Sequence, residues 1–140
     1  MAEIQYKHSI TVEEYENLRK SVGWRPIERA QAQIGINNSR YITVATVNGQ
    51  AVGMARLVGD GGYVNVICDV IVREEFQGQG IGKRLVLSLL EYIREGLSAG
   101  QSSIVYVMAA KGKEPFYESL GFVPRPADTL GCGMTQWIDK

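Results

Sequence analysis

Apolar and polar positions follow two different rhythms along this chain, and the change from one to the other marks its elements. Residues 41–47 and 51–58 are rich in β-branched and aliphatic side chains and are parted by Asn48-Gly49. Asn-Gly suits a tight turn with two left-handed residues, so these runs predict a β-hairpin. A third run, residues 63–72, follows the turn signal Gly59-Asp60-Gly61-Gly62. Its later positions are apolar almost without a break, which predicts a central strand covered on both faces. From Ile81 the period lengthens: Leu85, Leu89, Tyr92 and Ile93 recur at helical spacing while Lys83, Arg84, Glu91 and Arg94 take other directions. That pattern predicts a helix over 81–93 with Gly96 as its stop. A β-rich run at 103–109 completes a strand–helix–strand order, the signature of a parallel βαβ unit.

The flanks are read by the same rules. Residues 4–7 predict a short first strand. Thr11 with Glu14 forms a capping box for a helix reaching about Lys20. Pro26 fits the first turn of a second helix over 27–34, closed by Gly35 and Asn37-Asn38, and Val22-Gly23-Trp24-Arg25 is the connecting loop. Glu114 to Leu120 predicts a helix with Pro115 in its first turn and Gly121 at its end. Phe122-Val123 and residues 134–138 then read as terminal strands, so the fold class is α/β with a mixed sheet.

Composition narrows the function classes. A chain of 140 residues, 45% hydrophobic, suffices for one domain spanning 1–140. Fifteen Lys plus Arg balance fifteen Asp plus Glu, without the basic excess expected of a nucleic-acid or anionic-membrane surface, so small molecules are the expected partners. No apolar run approaches the roughly 20 residues of a membrane span, and the first residues lack signal-peptide regions, which leads to a cytoplasmic expectation. Cys68 and Cys132 form no CxxC, so neither a disulfide framework nor a metal site is indicated. The single histidine, His8, is placed in the first strand, and neither thiol has an evident activating base.

The chemistry-bearing motif is Gln77-Gly78-Gln79-Gly80-Ile81-Gly82-Lys83, between the third strand and its helix. Unpartnered N–H groups at a helix start, approached over glycine, form an anion cradle. The spacing fits neither GxGxxG nor GxxxxGK[ST], because Lys83 is followed by Arg84. It does fit Gln-x-x-Gly-x-Gly, carried by Gln77, Gly80 and Gly82. With Asp69-Val70-Ile71-Val72 before the loop and Phe116-Tyr117-Glu118-Ser119-Leu120-Gly121-Phe122 beyond the next strand, the chain resembles the GNAT acetyltransferase superfamily over most of its length.

That resemblance implies a mixed sheet of six to seven strands with about four helices, and acetyl-CoA as co-substrate without a metal. The backbone of Gln77, Gly78, Gln79, Gly80, Ile81, Gly82 and Lys83 would hold the pyrophosphate, and main-chain groups of Val70, Ile71 and Val72 the pantetheine arm. Tyr117 would act as general acid, since a phenol near pKa 10 can protonate a departing thiolate whose thiol lies near 8.5. Asp69, the acidic group nearest the expected thioester, is either the acceptor of the amine's proton or a structural carboxylate. Trp24 is either a wall of the acceptor site or a core tryptophan.

The implied activity is direct transfer of acetyl to a primary amine of a small molecule or peptide. A non-catalytic acyl-CoA-binding module is the alternative. Cys68-Asp69-Val70-Ile71-Val72 also resembles the strand of glucosamine-phosphate acetyltransferases, though Cys68 replaces their first acid. Many relatives carry an asparagine before the Phe-Tyr helix; here residues 109–114 read Ala-Ala-Lys-Gly-Lys-Glu, so that contact does not transfer, and Lys111 and Arg84 are left as nucleotide contacts to be tested. A homodimer is the superfamily's habit, with the terminal strands around residues 134–138 as the contact to be tested.

Overall fold

The structure, a computed structural model, describes residues 2–140. It comprises two compact units, the first ending at Val107 and the second running Met108–Lys140.

The first unit holds five strands in the order β1-β2-β3-β4-β5. These are β1 (Ile4–Lys7), β2 (Tyr41–Val47), β3 (Gln50–Gly59), β4 (Val64–Val72) and β5 (Ile104–Val107). β1 to β4 pair antiparallel and β4 pairs parallel with β5. The β2–β3 hairpin forms as its sequence predicts, with Asn48 at φ 50° and Gly49 at φ 78°. β4 is interior, but the middle place belongs to β3. His8 lies one residue beyond β1, where its Nδ1 meets the Ile42 carbonyl at 3.1 Å.

Helices cover both faces of the sheet. α1 (Val12–Ser21) begins with the predicted capping box: Thr11 Oγ1 accepts from the Glu14 N–H, and Glu14 accepts from the Thr11 N–H. α2 starts later than the sequence suggested, at Arg29 and running to Asn37. The Glu28 carboxylate accepts from the N–H groups of Ala30 and Gln31, a better start than Pro26 can offer, and Gly35 falls inside the helix. Tyr15 and Leu18 of α1 and Ala32 of α2 pack on Ile42, Val44, Met54 and Ile71. On the other face lies α3 (Ile81–Glu95), with Ile81, Leu85, Val86, Leu89 and Ile93 buried and Gly96 as its C-cap. Gly53 admits it: a Cβ there would sit 3.4 Å from both Ile81 and Leu85 and 3.0 Å from the Ile71 carbonyl.

In the second unit α4 (Glu114–Glu118) has Pro115 in its first turn. The expected strands at Phe122-Val123 and 134–138 do not form, so the described residues hold five strands where six or seven were expected. The Phe122 N–H is used to close α4, donating to the Tyr117 carbonyl at 3.1 Å, and Pro124 and Pro126 have no ladder N–H to offer. Residues 134–138, Met-Thr-Gln-Trp-Ile, form no strand ladder among the described residues, and Met134 and Ile138 are 89% and 85% exposed.

Candidate functional site

β4 carries two consecutive irregularities that shape its C-terminal end. Its pairing with β5 stops at Ile67–Val107, so residues 68–72 have no β5 partner. On the opposite side it stays paired to β3, with Ile71 facing Met54 and Val72 facing Gly53. The register shifts between Met54 and Arg56, where Asp69 and Val70 together oppose Ala55: a β-bulge. Asp69 supplies the left-handed residue of this bulge, at φ 53°.

Three side chains hold that residue in place. Asp69 Oδ2 accepts from the Tyr15 hydroxyl at 2.8 Å and from Arg56 Nε at 2.9 Å, and Oδ1 accepts from Arg19 Nη1 at 3.0 Å. The carboxylate is 9% exposed and the two guanidinium side chains 11% and 16%. Breaking a buried pair of this kind typically costs about 3–5 kcal/mol, because one charge is left uncompensated. Burial, then the charge and hydrogen bond of Asp69, push the Tyr15 phenol up to about 12. Burial also pushes the neighbouring Cys68 thiol up to about 11, against the lowering effect of Arg56, so it is protonated and unreactive near neutral pH. Arg19 and Arg56 were not singled out in the sequence, although an arginine on the apolar face of α1 and another in the apolar run of β3 were the available signals.

Beyond β4 the chain turns through Glu74–Phe76 into the glycine loop. Gln77 is not simply an exposed loop residue: its Nε2 donates to the Val72 carbonyl at 2.9 Å, tying the loop to the strand end. Gly78 and Gly80 adopt φ 79° and 82°, and nothing lies within 4 Å of a Cβ built on either. Gly80 caps α3 with no side-chain hydrogen bond, and the first turn contains no acidic residue. The N–H groups of Ile81, Gly82 and Lys83 have no intrahelical partners and lie at the positive end of the helix dipole. Lys83 is exposed; Arg84 lies over the Tyr6 ring, 4.7 Å from its centroid. Such a backbone cradle fits an extended anionic ligand.

On the α1–α2 face a cavity of about 410 Å³ is bounded by Tyr15, Arg19, Trp24 and Ile27 among others. The Arg19 guanidinium, held by Asp69, also donates to the Arg25 carbonyl at 2.6 Å through Nη2 and lies 5.5 Å from the Trp24 ring. Trp24 is thus a cavity wall, 36% exposed. In the second unit, Tyr117 packs edge-on against Phe116 and Phe122, and burial raises its phenol above 10. Lys111 is exposed in the turn before α4. Among the described residues no group of three or more His, Cys, Asp or Glu converges as a metal site, and no helix is long and apolar enough to cross a membrane.

An antiparallel sheet that turns parallel at the strand before an uncapped glycine loop defines a class of α/β proteins built around that strand exit. The comparisons give the class its name. Residues 38–124 match the family described as the Acetyltransferase (GNAT) domain. The uncharacterized N-acetyltransferase ycf52 of Pyropia yezoensis is 32% identical over 129 residues, covering 88% of this chain and 71% of that protein. A Staphylococcus aureus protein solved as a probable acetyltransferase superposes with TM-score 0.83 at 27% identity, covering 96% of this chain and 100% of its own. A GNAT family acetyltransferase from Streptococcus pneumoniae superposes with TM-score 0.77 at 28% identity, covering 100% and 99%. The chain belongs to the GNAT acetyltransferase family.

Proposed function

We propose that the protein moves the acetyl group of acetyl-CoA directly to a primary amine of a small molecule. The observation that carries this reading is the uncapped, open N-terminus of α3 beside a strand edge free of β5, a continuous run of main-chain groups from Val70 to Lys83. Val70, Ile71 and Val72 align the extended arm of the donor, and Gln77, Gly78, Gln79, Gly80, Ile81, Gly82 and Lys83 neutralise its pyrophosphate. The thioester is the activated acyl group: the neutral amine nitrogen bonds to its carbonyl carbon, the C–S bond breaks, the thiolate leaves, and the surplus proton on nitrogen passes to solvent water. Tyr117 supplies the proton to that thiolate. Its raised phenol is fully protonated at neutral pH, as an acid must be.

Asp69 is assigned to positioning, not to proton removal from the amine. Both of its oxygens already accept hydrogen bonds from Arg19, Arg56 and Tyr15, so the carboxylate is committed to holding those side chains. What it sets is the bulge, and through it the direction of the Val70 backbone.

Thiol release from acetyl-CoA across an amine panel tests the reading, with thermal shift by CoA in parallel. Amine-dependent release is expected, and a Tyr117→Phe variant should lose about 10²-fold in kcat with KM for acetyl-CoA little changed. Stabilisation by CoA with no amine-dependent release would instead identify a non-catalytic acyl-CoA-binding module. Unchanged turnover in Tyr117→Phe at every pH would remove the tyrosine from the chemistry.

A further inference from the structure

We propose that the groove between α3 and the strands β1 and β2 is an interface between two copies of this chain, whose α3 helices run antiparallel about a two-fold axis at Leu87 and Ser88. The groove encloses about 500 Å³. Its strand side is formed by Tyr6 and Tyr41, and its helix side presents Arg84, Leu87, Ser88, Glu91 and Glu95. The wall is built in advance: the Tyr41 ring stacks on Tyr92 of α3 at 4.2 Å and on His8 at 4.7 Å. A preformed wall spares a docking partner the cost of ordering it.

The occupant is named by the charges. Along the groove side of α3 the sign changes, with Arg84 near the start of the helix and Glu91 and Glu95 toward its end. That order opposes the helix dipole, which favours acid at the start and base at the end. All three side chains are exposed, and none makes an ion pair among the described residues. Arg84 lies over the Tyr6 ring, 4.7 Å from its centroid, a placement that keeps guanidinium N–H groups available to a carboxylate. A ligand of one charge would satisfy one end of the groove and be repelled at the other. A second α3 running the opposite way satisfies both. Arg84 and Glu91 are two turns apart, about 10 Å along the axis, with Leu87 and Ser88 midway. The dyad there sets the partner's Glu91 against Arg84 and the partner's Arg84 against Glu91 in one operation, and also opposes the two dipoles. At the centre, Leu87 is the large apolar side chain that α3 exposes, 41%. Ser88 beside it is small, and its hydroxyl is already bonded to Thr43 Oγ1 at 2.9 Å, so the partner's Leu87 can cover it without stranding a polar group.

Sedimentation velocity of the full chain over a concentration series tests the proposal. A reversible dimer is expected. Its dissociation constant should rise about tenfold or more in Arg84→Glu and in Glu91→Arg, each of which sets like charges opposite one another, and return to within about threefold of wild type in the double reversal. Recovery in the double variant excludes misfolding as the cause of the single losses. Leu87→Glu should weaken the dimer as strongly as either reversal, whereas Ile138→Glu, in the terminal segment, should leave it unchanged. A wild type that stays monomeric, a dimer indifferent to both single reversals, a double reversal no better than the single ones, or loss of the dimer in Ile138→Glu would overturn the proposal.

Discussion

The Asp69 cluster and the glycine loop stand a few residues apart on the same stretch of chain, yet they are built on opposite principles. At Asp69 a strained backbone residue is fixed by side chains: a phenol and two guanidiniums saturate one carboxylate away from water. At Gly78 and Gly80 the side chains are removed, leaving backbone donors bare and the space above them clear. Internal satisfaction makes the first region a rigid reference point. The lack of it makes the second the proposed receptor, because unspent N–H groups gain most from a ligand that is itself charged. Val70 to Val72 lie between, positioned by the first and continuous with the second.

Changing the carboxylate breaks this contrast most severely. Asp69→Asn preserves shape, and asparagine also tolerates the left-handed conformation, so the variant isolates the charge. Two buried guanidiniums would then face each other without a counter-ion, and urea denaturation should show a loss of about 3–5 kcal/mol. A loss below 1 kcal/mol would mean that the cluster does not hold the bulge.

A gentler perturbation is pH. Because the folded state raises Cys68 to about 11 and Tyr15 to about 12, it favours their neutral forms. Their contribution is fully present below the unfolded values of about 9 and 10 and is lost as pH rises through 11 and 12. Stability should therefore fall across pH 9–12, less steeply in Tyr15→Phe. Near pH 8, iodoacetamide should label the exposed Cys132 well before Cys68, by peptide mass mapping. Equal labelling would show that Cys68 is more accessible than its burial implies.

How much of this was legible in the residues depended on whether the signal was local. The capping box at Thr11 and Glu14, the Asn48-Gly49 turn and the helix after Gly80 all act over a few residues, and each formed where predicted. The glycine loop was visible for the same reason. Pro26 misled because the competing signal, the Glu28 carboxylate over two N–H groups, is also local and stronger. The terminal strands misled because apolar residues such as Met134 and Ile138 suggest a strand but cannot supply a partner for it. Asp69 was noticed as an unusual acid in a β-rich run, but its role was undecidable there. Tyr15, Arg19 and Arg56 come from positions 54, 50 and 13 residues away, and only folding assembles them.

The central claim is that the bare N-terminus of α3 receives the donor, and calorimetric titration of acetyl-CoA into the wild type and Gly80→Asp measures it directly. The substitution places a carboxylate over the first-turn N–H groups at a position of φ 82°, with no neighbour for it to strike. Wild-type binding with at least a tenfold weaker variant, whose melting temperature drops by only a few degrees, is the predicted result. Equal binding by the two proteins, or none by the wild type, would contradict it.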